Sequence, residues 1–433
     1  MQNKALGANK LANIIPWLMV GLGALFYSYE SLLRQSPSVM NYEIMHHYHI
    51  GATGFAHLVA YYYYIYAPMQ LFVGVLMDKY GARFLLTFAT FCCAFGAYLF
   101  VESDYLIVAE VGRFLVGLGS SFAFVGLLKL TTSWLPPERF AVITGSAMAI
   151  GMVGCLFGDI ALTSVIDSYG WQGASYRAAA FGGVLAILMF LFLKDTGSSA
   201  KIDDFANQEQ LTFKDVIANL LDLLKSRQIW INGIIGCLMW LPLSVFAETW
   251  GVFYLEHVYY LSKQLAGDAV AMVFLGWAVG GPIMGWFSDK IKQRRLPITL
   301  GSMFAALMIV LVLYVPAISY ESLLIILFLF GFFNSAQAIV FAVSREISPA
   351  KAVASSFAVT NMFIMISGII QPVSGYLLET ISSKSNTVNA VAQYSATAYE
   401  AALSIVPIGL LITVCLSFLL KESYSENTDS HYK

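Results

Sequence analysis

Long runs of apolar residues constrain this chain most, because about 20 such residues in a row are the length that crosses a membrane as a helix. Twelve runs, called spans 1 to 12, occur at residues 14–40, 52–77, 83–101, 105–132, 138–162, 176–194, 229–254, 263–288, 296–316, 321–343, 352–377 and 397–420. Of the 433 residues, 58% are hydrophobic and 12% are charged, against about 25% charged in soluble domains. The sequence therefore predicts an all-α membrane protein with 12 transmembrane helices in the lipid bilayer.

One hydrophilic segment, residues 195–228, separates six spans from six. It predicts an N-terminal bundle at 1–194, a cytoplasmic linker and a C-terminal bundle at 229–433. Lysine and arginine collect in cytoplasmic loops. If both termini are cytoplasmic, the inner segments hold 18 of the 24 basic residues and the outer ones three. We therefore expect cytoplasmic termini and insertion in a bacterial inner membrane, with span 1 bending near Pro37.

A short charged pattern occurs at the same place in each half. Span 2 is followed by Gly74-Val-Leu-Met-Asp78-Lys79-Tyr-Gly81-Ala-Arg83, and span 8 by Gly285-Trp-Phe-Ser-Asp289-Lys290. Internal repeats are how many carriers build two faces around one site. The pattern therefore predicts a transporter made of two pseudo-symmetric six-helix bundles, although the second copy lacks a glycine matching Gly81.

These features resemble the major facilitator superfamily, whose motif between spans 2 and 3 matches the first copy. Span 4 contains Arg113-Phe-Leu-Val-Gly117-Leu-Gly119, which is similar to a second family motif. Span 5 contains spaced glycines similar to the antiporter-type motif, without its usual Gly-Pro pair: Gly145, Gly151, Gly154 and Gly158. The resemblance implies transport by alternating access between two bundles.

Three shorter segments are similar to a proteobacterial branch that includes phagosomal amino-acid and nucleoside transporters. They are Arg34-Gln-Ser-Pro-Ser-Val-Met, Lys129-Leu-Thr-Thr-Ser-Trp134-Leu-Pro136 and Glu248-Thr-Trp250-Gly251. Span 1 also resembles that of the organic-anion carriers, which place an arginine at this depth for a substrate carboxylate or phosphate. The resemblance therefore leaves the substrate class open.

Ionisable residues at membrane depth are costly and are by default functional. In span 1, Tyr27, Glu30 and Arg34 share a helical face, and Glu30 and Arg34 are spaced to satisfy each other. Arg34 would bind a substrate carboxylate or phosphate, while Glu30 would take a proton or an amino group. The alternative is a static ion pair near the outer surface.

Span 7 places Glu248 at a similar depth, on one face with Trp240. Its carboxylate suits reversible protonation, although it could instead cap the outer rim. Further polar residues complete the candidate substrate site, and some of these would otherwise belong to the aromatic belt or hold helices together: Tyr62, Tyr66, Asn361 and Gln371. Arg113 belongs, by resemblance, to a motif associated with proton coupling, and a structural role is equally consistent with its position.

By family resemblance, Asp78 faces the amino end of span 11, where the helix dipole stabilises an anion. Lys79 and Arg83 would then pair with neighbouring acids and hold the cytoplasmic side closed, and Asp289 occupies the matching place in the second copy. Small residues would allow helices to slide or to pack tightly: Gly74, Gly81, Gly151 and Gly154.

We expect a secondary active transporter of a small polar metabolite, because the opposite charges of Glu30 and Arg34 suit a zwitterion such as an amino acid or short peptide. Uptake would be driven by protons. The alternatives are an organic-anion or phosphate-ester carrier that uses Arg34, and a solute receptor that does not transport. The chain contains no motif of a known catalytic site, so we expect no enzyme, no cofactor and no metal. The net charge of −2 argues against a nucleic-acid partner, and we expect a monomer.

Overall fold

The computed structural model describes residues 2–135, 140–195, 218, 221–315, 318–349, 353–382 and 394–424. Within these ranges, the side chains of residues 2–13, 78, 140–150, 157–161, 353 and 354 lie outside the described part. Every regular element of the described residues is a helix.

The first half contains spans 1 to 6. Its helices are Gln2–Gln35, Asn41–His47, Ala52–Tyr80, Ala82–Glu102, Leu106–Ser120, Ala123–Trp134 and Phe140–Phe192. Span 1 bends as expected, because its α-helix stops at Gln35 and Pro37 lies in a 3-10 turn. The sequence assigned residues 163–175 to neither span 5 nor span 6. Helical structure continues there, and the chain turns at Gly170 (φ 72°, ψ 164°), a conformation that glycine adopts without steric cost.

The second half contains spans 7 to 12, several of them broken into shorter helices. Its elements are Arg227–Leu238, Pro242–Trp250, Gly251–Val258, Lys263–Ile291, Arg295–Tyr314, Tyr320–Asn334, Ser335–Ala338, Ile339–Glu346, Val353–Ile369, Gln371–Ser382, Ala396–Leu403 and Ile405–Ser417. Interrupted helices are typical of transporters, where the freed backbone groups lie near a binding site.

Among the described residues, nine helices are long and apolar enough to cross a membrane. Spans 1, 2 and 5 fall on Gln2–Gln35, Ala52–Tyr80 and the first part of Phe140–Phe192, which are helical as well. Span 2 contains a row of tyrosines, Tyr61 to Tyr64 and Tyr66, called the tyrosine row. It lowers the hydropathy of Ala52–Tyr80 without shortening its 29-residue helix. The predicted fold, an all-α membrane protein of 12 helices in two bundles, is confirmed.

The two halves pack against each other along three lines. Span 2 lies along span 11, the helix of spans 5 and 6 lies along span 8, and the end of span 1 meets Pro242–Trp250 of span 7. Tyr63 illustrates how close the halves come, because a side chain at Gly368 of span 11 would overlap its ring.

Polar contacts join the halves at the end of the bundle that loop charges predict to be outer, called the outer end below. Lys263 Nζ lies 2.5 Å from Glu43 Oε1. Glu379 accepts hydrogen bonds from the backbone N–H (3.0 Å) and the hydroxyl (2.6 Å) of Thr53. At the opposite end, the ion pairs of the described residues stay within one half, as between Arg294 and its partners. The halves are therefore joined by polar contacts at the outer end.

Candidate functional site

A buried ion pair connects span 1 of the first half with span 7 of the second. Arg34 Nε lies 3.2 Å from Glu248 Oε1, and the two residues are 4% and 1% exposed. The sequence predicted that Arg34 pairs with Glu30, and the structure gives Glu248 as its partner instead. Glu30 accepts hydrogen bonds from Ser31 Oγ and Tyr62 OH, each at 3.1 Å. Because Arg34 and Glu248 belong to different halves, the pair closes the seam between them.

Span 7 presents Glu248 from an unusually wide stretch of helix. Residues Pro242–Trp250 form a π-helix, and Thr249 Oγ1 donates to the carbonyl of Ser244, five residues earlier, at 2.7 Å. Such widened turns are frequent at functional sites. The second carboxylate oxygen of Glu248 accepts a short hydrogen bond from Tyr63 OH. Glu248 is thus a buried carboxylate that contacts both span 1 and span 2.

The tyrosine row of span 2 contributes two faces to this cluster. Tyr62, Tyr63 and Tyr66 are buried, and the rings of Tyr62 and Tyr66 stack with their centroids 5.3 Å apart. The pattern predicted Tyr62 and Tyr66 as site residues and missed Tyr63, which binds Glu248. Tyr63 lies on one helical face with Gln70, and that shared polar face was the available signal.

Other predicted residues surround the ion pair. The ring centroid of Trp240 lies 5.8 Å from Arg34 Cζ, a cation–π distance. Gln371 Nε2 donates to the Ser244 carbonyl at 2.7 Å. Among the described residues, Trp240 Nε1 and Gln371 Oε1 have no hydrogen-bond partner. Trp240 thus borders the Arg34–Glu248 pair directly, whereas Gln371 is bonded to the backbone of the π-helix that carries Glu248.

Two more predicted residues lie at the edges of this cluster. Asn361 Nδ2 donates to Gln70 Oε1 at 2.9 Å, which links spans 11 and 2. Tyr27 is half-buried, and a side chain at Gly151 would meet its ring. The contacts place Asn361 across the seam and Tyr27 between spans 1 and 5.

Cys155 belongs to the cluster and was missed. Arg34 Nη2 donates to its Sγ at 3.4 Å, and the thiol donates to the Ser31 carbonyl at 3.6 Å. The sequence interpretation treated all the cysteines as packed thiols. A single cysteine in an apolar helix has no spacing that would distinguish it, so no sequence signal could have found this contact.

Arg113 lies next to the cluster, inside the first half. Its Nη1 donates to the Leu33 carbonyl at 3.0 Å, and its Cζ is 5.4 Å from the ring centroid of Tyr62. It therefore reaches the acid Glu30 indirectly, through the tyrosine that donates to that carboxylate.

Two candidate gating residues of the first copy, Gly81 and Arg83, contact the end of span 6. The side chain of Asp78 lies outside the described residues. Arg83 uses its backbone N–H to bind Asp195 Oδ1 and its Nη2 to bind the Phe190 carbonyl, both at 2.8 Å. Gly81 has φ 80°, and a side chain there would meet the Asp195 carboxylate. The first copy thus packs on the end of span 6.

The remaining gating candidates have diverse surroundings. Lys79 Nζ lies 5.1 Å from the ring centroid of Tyr80, and Asp289 Oδ1 accepts from Arg294 Nη1 at 2.6 Å. Open space surrounds Gly74, whereas Gly154 lies so close to Ser28 that a side chain would clash with its backbone.

Lys292, which matches Gly81 in the repeat, has φ 55°, ψ 41°. The second copy therefore keeps a positive φ at this position without glycine.

A two-part helical bundle with buried charges at its seam defines a membrane transporter. The Major Facilitator Superfamily profile matches residues 18–372, and the chain belongs to this superfamily. It is 23% identical over 423 residues to the "Probable galactarate/D-glucarate transporter GudP" of Escherichia coli (strain K12), covering 88% of this chain and 91% of that protein. It is 22% identical to the "Probable sulfoacetate transporter SauU" of Cupriavidus necator, covering 74% and 77%.

A solved structure has the same fold. The bacterial homologue of the human lysosomal transporter Spinster, in an inward-facing and unoccupied conformation, superposes with a TM-score of 0.76 at 14% identity. The superposition covers 94% of this chain and 97% of that one. At this identity the likeness concerns the fold alone.

Proposed function

We propose that this transporter carries small organic anions and that Arg34 binds the acid group of the substrate. The supporting observation is the ion pair itself: a buried guanidinium at the seam has its carboxylate partner, Glu248, in the other half. A guanidinium recognises carboxylates and related acid groups through two parallel hydrogen bonds. Two relatives named as carriers of galactarate/D-glucarate and of sulfoacetate support the same substrate class.

A proton would drive this transport by competing for Glu248. The substrate acid group and the Glu248 carboxylate need the same guanidinium, so binding of the substrate requires release of Glu248. A carboxylate left buried without its counter-ion is strongly destabilised, and protonation removes that charge. One proton on Glu248 and one acid group on Arg34 leave the charge of the site unchanged, which couples one proton to each acid group that Arg34 binds.

Neighbouring polar atoms would recognise the rest of the substrate. Trp240 Nε1 offers a donor and Gln371 Oε1 an acceptor, and both lack partners among the described residues. A site with unpaired buried polar groups discriminates strongly in favour of ligands that satisfy them. We infer that the substrate carries a hydroxyl next to the acid group that Arg34 binds, because a hydroxyl can both accept from Trp240 and donate to Gln371.

The amino-acid substrate favoured by the sequence has less support. A zwitterion would need Glu30 as a partner for its amino group, and the two relatives reported above are named as carriers of organic acids. That substrate class stays a prediction.

For the membrane arrangement, the loop charges support an inner-membrane protein with cytoplasmic termini. Two bundles, at 1–194 and 229–433, would rock about the seam.

Uptake into proteoliposomes tests the proposal. Purified protein should accumulate a hydroxylated dicarboxylate such as D-glucarate under an inward proton gradient, and Arg34→Lys should abolish accumulation because a lysine cannot replace the guanidinium fork. Arg177→Lys is the matched control, since Arg177 is exposed and bonds to its own helix. Accumulation of amino acids but not of organic acids would refute the anion assignment, and binding without uptake would indicate a receptor.

A further inference from the structure

Arg113 is a buried arginine inside the first half, and none of the ion pairs of the described residues includes it. Arg113 is 2% exposed. Among the described residues its Nε and Nη2 have no hydrogen-bond partner, and its one hydrogen bond is to the Leu33 carbonyl. The Tyr62 ring compensates part of the charge by a cation–π interaction. Removing an ion from water has a large free-energy cost even after relaxation, so the charge of Arg113 is left under-compensated.

This guanidinium lines a cavity within the first half. The wall comes from spans 1, 3, 4, 5 and 6 and from the segment that joins spans 5 and 6, and it includes two hydroxyls, Ser36 and Ser175. Both hydroxyls donate to carbonyls of their own helices at 3.0 Å. Apolar side chains such as Phe100 and Leu162 form much of the remaining wall. Span 7 does not line this cavity, so it is distinct from the seam that carries Glu248.

We propose that this cavity binds a small monovalent inorganic anion of the chloride class, with Arg113 as its counter-ion. The free Nε and Nη2 donors supply charge-assisted hydrogen bonds, and a serine hydroxyl can rotate to donate as well. A single positive charge neutralises a monovalent anion. A divalent anion would leave a net negative charge among apolar walls, which is strongly unfavourable.

Occupancy of this site would act on the transport cluster through Tyr62. That ring lies over Arg113, and its hydroxyl donates to Glu30. The anion would thus stabilise the first half whether or not a substrate is bound. Its binding does not depend on the identity of the transported solute, so the two proposals fail or succeed separately.

Thermal unfolding of the purified protein without any organic acid tests the site. At constant ionic strength, replacing sodium sulfate by sodium chloride or bromide should raise Tm with a saturable dependence, because a ligand of the folded state stabilises it by mass action. Sulfate stabilises proteins generally by exclusion from their surface. A higher Tm in halide than in sulfate therefore cannot be a general salt effect. Arg113→Gln should lose the halide-dependent increase, whereas Arg177→Gln should keep it.

A second measurement locates the ion. Crystals soaked in bromide should give an anomalous scattering peak beside Arg113, and Ser175→Val, which keeps the arginine, should weaken the apparent halide affinity several-fold. If Arg113→Gln does not fold, the Ser175→Val variant and the bromide-soaked crystals of the native protein still test the proposal. The proposal is overturned if Tm does not depend on halide, or if Arg113→Gln or Ser175→Val keeps the full halide effect. It is also overturned if bromide binds only away from Arg113.

Discussion

Substituting Glu248 by glutamine tests the competition for Arg34 most directly. Glutamine keeps the size and can still accept the hydrogen bond of Tyr63, but it cannot carry the charge. The pair is buried and its atoms are 3.2 Å apart. Removing one partner of such a pair destabilises a protein by about 3–5 kcal/mol, because the other charge remains buried. Glu248→Gln should therefore lower Tm in the absence of substrate.

Substrate binding should change in the opposite direction. On the proposed mechanism, an organic anion must displace Glu248 in the wild type, whereas in Glu248→Gln it would meet an unpaired Arg34. If about 3 kcal/mol of the free energy that the wild type spends on breaking the Arg34–Glu248 pair is recovered in the variant, the Kd of the variant is about 100-fold lower. Because anion binding is proposed to take up one proton in the wild type, the wild-type Kd should fall with falling pH, while the Kd of the variant should be nearly independent of pH.

Calorimetric titration with a hydroxylated dicarboxylate between pH 5 and 8 measures both effects. Uptake driven by a proton gradient should be lost, whereas exchange of bound substrate should persist. Glu321→Gln is the matched control, since Glu321 is exposed near the start of span 10 and should leave Kd and its pH dependence unchanged. If Glu248→Gln binds more weakly than the wild type, or keeps its pH dependence, competition for Arg34 is the wrong mechanism.

Two further predictions follow from local contacts. Cys155→Val removes the acceptor of Arg34 Nη2 and should raise the KM for uptake several-fold. The control Cys237→Val, at a buried thiol of span 7, should leave the KM unchanged. Equal effects of the two variants would contradict a role for Cys155 in orienting Arg34. Lys292→Gly should increase the unfolding free energy by about 1 kcal/mol, because a left-handed conformation is strained for lysine. Lys290→Gly in the preceding helix should decrease it by about as much, as chemical denaturation can measure.

The sequence predicted the fold well because the membrane imposes its own length and polarity rules. Each span had to be helical, since an unpaired backbone group in hydrocarbon is costly. The segment at 163–175 escaped this reasoning. It lies outside the predicted spans. The positive φ of Gly170 shows how the helices of spans 5 and 6 join without a loop between them.

The candidate site was predicted residue by residue but not contact by contact. Glu30, Arg34 and Glu248 stood out because charges at membrane depth are rare. The predicted partner of Arg34 came from helical spacing, a rule that holds for neighbours on one helix. The observed partner lies in the other half of the chain, and its choice depends on how two bundles pack. Tyr63 and Cys155 were missed for the same reason.

The relative strength of the seam contacts indicates which of them would control the movement of the two halves. Lys263 and Glu43 at the outer end have side chains 20% and 28% exposed, and ion pairs that water can reach contribute about 0–1 kcal/mol. The Arg34–Glu248 pair is buried, so breaking it without compensation costs several times more. The outer contacts would therefore open and close readily, whereas on the proposed mechanism the buried pair would release the halves only when a proton and an anion replace it. Such a carrier would change state when both are bound, as coupled transport requires.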